Sequence, residues 1–189
     1  MQRSNIENIA NQVLSKYVPK GGAYKQFEKI CAGENIAYKE IETDERDFCG
    51  VFTKYLDEQK HIIINSKIDN EGRKNFTKAH ELGHYFLGHK LKGHDVNINE
   101  ECSSKEPMEY EADYFATCLL MPEEKITSAV KSMLYRISKG SSSLPLYITN
   151  RNYKSWAIIN SELTKRYGVS ETALRYRLSS LNLVLFCNQ

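Results

Sequence analysis

The chain has 189 residues, 41% hydrophobic and 26% charged, which suits one full domain, or one with a small appendage, that buries its core without covalent staples. A formal net charge of +2 excludes a strong overall electrostatic address to nucleic acid or membrane. Five widely spaced cysteines with no Cys-x-x-Cys pair exclude a disulfide framework and a zinc ribbon, and point to reduced thiols.

The first ten residues carry no apolar core of a signal peptide, and no apolar run reaches the length of a membrane span. The expected location is the cytoplasm, with no membrane partner. Ile6, Ile9, Ala10, Val13, Leu14 and Tyr17 recur at helical spacing and predict a first helix that stops before Pro19. A second helix is expected from Tyr24 to Cys31, ending near Gly33. Three strand-like runs follow, Ile36 to Ile41, Phe48 to Tyr55 and His61 to Asn65. The polar residues 57–60 read as a hairpin link between the last two. Asp69 or Asn70 is placed to cap the next helix, which carries Phe76 to Leu87 and is punctuated by Gly88. Residues 90–105 read as a polar loop. Pro107 then opens a helix running to about Met121, Pro122 closes it, and another helix runs from Glu123 to Ile137.

The run from Lys139 to Pro145 is the best linker, so the chain divides into a domain over 1–138 and a helical module over 139–189. In that module Leu163, Tyr167-Gly168-Val169-Ser170, Ala173, Leu174 and Leu178 read as a helix-turn-helix, with glycine in the turn and serine as cap. From Arg151 onward six cations face two anions, and Arg175 and Arg177 are placed to meet phosphates. A purely structural helical hairpin needs the same glycine and leucines, and a surface that holds a protein substrate is a third use of the module.

The chemistry concentrates in Thr77-Lys78-Ala79-His80-Glu81-Leu82-Gly83-His84-Tyr85. Histidines four apart lie one turn apart on the same helix face, so both rings reach one zinc ion at about 2.0–2.1 Å. Glu81, beside the first ligand, is placed to take a proton from the attacking water. A third ligand is needed, and the extended pattern with a later histidine fails, because its required positions hold Leu87 and Lys90. His89 is therefore expected to lie behind the site or in solvent. On the next helix Glu109 shares a face with Ala112, Asp113, Ala116 and Leu120, whereas Glu111 lies about 200° around. Glu109 is thus the expected ligand, Glu111 a solvated charge, and Asp113 the acceptor for a ligand histidine's other ring N–H. Tyr85, Tyr110 and Tyr147 are candidates to stabilise the oxyanion. The strand His61 to Asn65 is expected at the sheet edge, where it would bind extended peptide.

His80-Glu81-Leu82-Gly83-His84-Tyr85-Phe86-Leu87, then Glu109 with Ala112-Asp113 and Phe115-Ala116, then Leu119-Leu120-Met121-Pro122, resembles the ImmA/IrrE family of metallo-endopeptidases. The approach segment Ile62-Ile63-Ile64-Asn65 and Arg73 to Thr77 carries the same likeness. The resemblance implies an α+β fold: a zincin-like domain with a small, mostly antiparallel three-stranded sheet packed on helices, followed by the helical module. It implies zinc on His80, His84 and Glu109 with Glu81 as base. It also implies a protein substrate, such as a helix-turn-helix repressor. The alternative is a DNA- or protein-binding regulator whose zinc site is structural or inactive; intact Glu81 favours catalysis, since a structural site needs no base.

Overall fold

Apolar spacing along the N-terminal segment folds as expected. In the computed structural model, which describes residues 1–18, 21–45, 47–54, 59–89, 107–137, 144–149 and 152–186, α1 (Arg3–Tyr17) buries Ile6, Ala10, Val13, Leu14 and Tyr17. The expected second helix starts as a 3-10 turn (Ala23–Gln26) and continues as α2 (Phe27–Gly33).

Three strands follow: β1 (Ile36–Ile41), β2 (Gly50–Lys54) and β3 (Lys60–Asn65). Their spatial order is β1-β3-β2, with β1 parallel and β2 antiparallel to β3. Two expectations need correction. The sheet is mixed rather than mostly antiparallel, because β2 turns the chain back and returns the third strand to the direction of the first. And the segment His61 to Asn65 is central, not an edge: its isoleucine run needs cover, and Ile62 and Ile64 are both 0% exposed between two paired neighbours. The edges of this sheet are β1 and β2. Asn65, buried at the end of β3, donates Nδ2 to the carbonyls of Thr43 and Phe48 and so anchors the segment leading into β2. Half of the expected link over 57–60, and the whole of the loop 90–105, lie outside the described residues.

Helix α3 (Glu71–Phe86) begins at Asn70, whose Oδ1 accepts from the Arg73 N–H at 2.9 Å. Helix α4 (Pro107–Leu120) packs against it, and α5 (Glu123–Ile137) follows. At Gly83 α3 and α4 come close together: a Cβ there would lie 3.0 Å from Ala112 Cα and 3.2 Å from the Phe115 ring. Phe86 stacks on Phe115 one turn further along.

The C-terminal segment forms α6 (Tyr153–Tyr167) and α7 (Glu171–Ser180), bracketed by β4 (Leu146–Ile148) and β5 (Val184–Phe186), which pair in parallel. Gly168 takes φ 63° in the turn between the helices, and Ser170 Oγ caps α7. This turn sits on the start of α3. Asn75 Nδ2 donates to the Gly168 carbonyl at 2.9 Å, and a Cβ at Gly72 would come within 2.4 Å of the Val169 and Ser170 backbone. The architecture among the described residues is α+β: seven α-helices, a three-stranded mixed sheet and a two-stranded one, over a cluster of buried side chains from Ile6 to Val184. No described helix is long and apolar enough to cross a membrane.

Candidate metal centre

The crossing of α3 over α4 at Gly83 brings three side chains to one point. His80 and His84 lie a turn apart on α3, one on either side of that glycine, and Glu109 comes from the first turn of α4. His80 Nε2 lies 3.1 Å from Glu109 Oε2, and His84 Nε2 lies 3.4 Å from Glu109 Oε1. The two Nε2 atoms are 2.9 Å apart. Both imidazoles are largely covered, at 15% and 14% side-chain exposure, while Glu109 keeps 43%. The centre is thus open on the Glu109 side.

Behind His80, Asp113 Oδ1 lies 2.9 Å from Nδ1. A carboxylate only accepts, so the ring proton belongs on Nδ1 and the Nε2 lone pair faces the cluster. Helical spacing on α4 had placed Glu109 and Asp113 on one face, and here they serve the front and back of the same imidazole. Two ring nitrogens and a carboxylate with donor atoms within 4.8 Å of one another form a set that could hold a metal ion. Its chemistry fits: lone pairs pressed this close repel unless a cation stands between them. Burial disfavours charge on both rings. On His80 the hydrogen bonds to Asp113 and Glu109 outweigh it and push its pKa up, while burial and the neighbouring His80 charge drive His84 down.

Glu81, next to His80 on α3, is buried against β2. It is 6% exposed, and burial lifts its carboxyl to about 7, against the charge of His80 and a hydrogen bond with the Phe52 backbone on β2. The helix carrying the donors is therefore tied to the edge strand through the glutamate between them.

The sequence profile of the IrrE N-terminal-like domain, a metallopeptidase family, matches residues 34–179. The chain belongs to the ImmA/IrrE family of metallopeptidases. The family match extends from the end of α2 into α7, so the metal-centre helices, α6 and nearly all of α7 lie inside it. No curated protein matches the chain. Among solved structures, one described as a Mycobacterium tuberculosis transcriptional regulator is similar in fold, with a TM-score of 0.56 at 14% identity, covering 93% of this chain and 46% of the other. The chain spans less than half the length of that protein, and the likeness is one of fold.

Other residues singled out in the sequence take different positions. Arg177 is 0% exposed: Nε donates to the Met121 carbonyl at 3.1 Å and Nη2 to Glu7 at 2.8 Å. It ties α7 to α1 and to the end of α4, facing the interior instead of a surface open to phosphate. Arg175 stays partly exposed but lies over the Phe186 ring at 3.9 Å and pairs with Glu171. Tyr85 donates its hydroxyl to Glu34 at 2.8 Å and receives Lys60 Nζ, so its phenol is engaged there. Tyr110 and Tyr147 are exposed, at 57% and 54%.

His89, expected behind the site or in solvent, stands behind His84, and Glu111, expected as a solvated charge, stands behind His89. His89 Nδ1 lies 3.0 Å from His84 Nδ1, and its Nε2 lies 3.2 Å from Glu111 Oε2. Glu111 is not a solvated charge. Its side chain is 20% exposed, and it also meets the amino group of Met1. The end of α3 fills the space on the Glu111 side of α4.

Proposed function

We propose that this protein is a zinc-dependent endopeptidase that acts on a protein substrate, a helix-turn-helix repressor being the class that family membership favours. The observation that carries the reading is the convergence of His80, His84 and Glu109 with a buried, intact glutamate between the two histidines. His80, His84 and Glu109 would hold zinc, which when bound polarises the scissile carbonyl and makes water a better nucleophile. Glu81 accepts the proton of the attacking water and returns it to the leaving amine; its carboxyl near neutrality suits both transfers. Asp113 holds His80 with its Nε2 lone pair forward.

In this zincin-like reading an extended peptide lies along the outer edge of β2. Among the described residues that strand pairs only with β3; it packs beside α3 and is bonded to Glu81 through Phe52. We assign residues 1–138 to the catalytic part and 139–189 to a module that holds the protein substrate. The interior placement of Arg177 and the acidic Glu171 at the exposed start of α7 favour that role over DNA binding.

The test is metal analysis together with co-incubation of the protein and candidate repressors, with wild type and Glu81→Gln. Wild type is expected to bind about one zinc and cleave, and the variant to bind zinc while losing at least about a hundredfold in cleavage rate. A glutamine variant that holds zinc and cleaves as fast as wild type removes Glu81 as base.

A further inference from the structure

Helix α3 ends in a turn that folds the chain back onto the metal centre. Leu87 caps the helix, Gly88 takes φ 67°, and two bonds close the turn: Gly88 N–H to the Tyr85 carbonyl and His89 N–H to the His84 carbonyl, both at 3.1 Å. This is the paired bonding of a Schellman motif, with glycine at the left-handed position. Because the His89 backbone is bonded to that of His84, the two imidazoles meet, with ring centroids 5.0 Å apart and planes at 74°. The His89 side chain is 6% exposed.

The protons in this chain of groups can be assigned from its far end. Glu111 is a carboxylate and accepts, so His89 Nε2 carries the proton and donates to it at 3.2 Å. In a neutral imidazole that leaves His89 Nδ1 as a lone pair. The atom facing it at 3.0 Å, His84 Nδ1, must then carry the proton it donates. His84 Nε2 is left as a lone pair directed at His80 and Glu109. His89 cannot join the donor set in this arrangement, since one of its nitrogens is used by Glu111 and the other by the far nitrogen of His84.

We propose that His89 and Glu111 are positioning residues that fix the tautomer and ring orientation of His84, doing through an intervening imidazole what Asp113 does directly for His80. The proposal rests on the metal-site reading. It gives a role to the histidine that misses the spacing of an extended zinc motif, and to the glutamate that faces away from the cluster. It also makes Gly88 part of the site, because a residue unable to hold that turn releases His89 from His84.

The experiment measures zinc affinity by competition with a chromophoric chelator for wild type, His89→Phe, His89→Gln and Glu111→Ala, after thermal melts of each metal-free protein. The His84 tautomer is read by long-range proton–nitrogen NMR of the zinc-loaded protein. His89→Phe keeps a ring but removes the acceptor, and is expected to weaken zinc about 10- to 100-fold. His89→Gln restores a side-chain carbonyl and is expected within a few-fold of wild type. Glu111→Ala is expected to lose about tenfold, with His84 no longer held as the Nδ1–H form. If His89→Phe binds zinc as wild type does, or if phenylalanine and glutamine weaken it equally, the positioning role is overturned. Should His89→Phe fail to fold, Glu111→Ala with wild-type affinity and an unchanged tautomer overturns it instead. A wild-type protein that binds no zinc overturns the metal-site reading itself and the proposal with it, a result distinct from retained binding in the variants.

Discussion

Gly83 stands at a tight contact between the donor-bearing helices, and its lack of a side chain lets Glu109 come near the histidine pair. A methyl group there would lie 3.0 Å from Ala112 Cα and 3.1 Å from the Ala112 carbonyl oxygen, both backbone atoms that yield only if α4 shifts. Gly83→Ala is expected to cost about 1–3 kcal/mol by overpacking, partly offset by better helix propensity. It is expected to weaken metal binding by more than the loss of stability alone accounts for, since the shift falls between His80 and His84. Urea unfolding of the metal-free protein and chelator competition, run side by side, check it; unchanged metal affinity would show that α4 does not set the donor spacing. At this scale the sequence was informative where periodicity decides. Four-residue spacing put His80 and His84 on one face, and helical angle separated Glu109 from Glu111. It was silent where a turn decides. His89 meets His84 only because Gly88 reverses the chain, and a linear pattern of ligand spacings does not register that fold-back, though a glycine directly after the helix was its signal.

Among elements, the junction between the C-terminal helices and the rest of the fold is the most specifically built. Arg177 reaches from α7 to the Met121 carbonyl and to Glu7 on α1, with its guanidinium withdrawn from water. Replacing it with methionine fills similar space but strands the acceptors it served. Glu7 keeps some exposure, at 21% of its side chain, which tempers the penalty. Arg177→Met is expected to cost about 3 kcal/mol, the low end for breaking a buried ion pair. Chemical denaturation checks it, and a double-mutant cycle with Glu7→Gln separates the pair from the packing. Loss of less than about 0.5 kcal/mol would show that α7 is held by its leucines alone. In sequence Arg177 read as a surface cation because charge is normally solvated; only the tertiary partner on α1, 170 positions away, reverses that. Other elements were legible in proportion to their length. The helices stand within a few residues of their apolar patterns. The three-residue strands β4 and β5 are too short to show alternation and went unread. The order of the main sheet was misread because strand existence is local while strand neighbours are not.

For the molecule as a whole, the acid side of the stability curve should carry the signature of its bridging carboxylates. Glu40 on β1 holds α3 by accepting from Lys74 at 2.6 Å and Lys78 at 3.0 Å, and it also accepts from the Tyr38 hydroxyl. Burial alone would raise its carboxyl, but the hydrogen bonds from Lys74, Tyr38 and Lys78 outweigh it and hold the value down to about 2. An unfolded glutamate titrates near about 4.3. The folded value lies below the unfolded one, so the stabilisation is fully present above about pH 5 and fades as pH falls through about 2, below which both states are protonated. Glu34 acts in the same direction: its hydrogen bonds from Tyr17, Lys16 and Tyr85 overcome burial and lower its carboxyl, tying α1 and the segment before β1 to α3. Glu40→Gln is therefore expected to be less stable than wild type at neutral pH, and to lose less on acidification, so that the gap between the two curves narrows steadily from about pH 5 to pH 2. The metal-centre groups titrate alike in both proteins and cancel in the comparison. Urea midpoints across a pH series from 7 to 2, taken on metal-free protein at low salt, give both curves. Parallel curves across that range would show that the Glu40 bridge between β1 and α3 contributes nothing to acid stability. Curves that close only below about pH 5 would place the linkage between sheet and metal helix in this carboxylate.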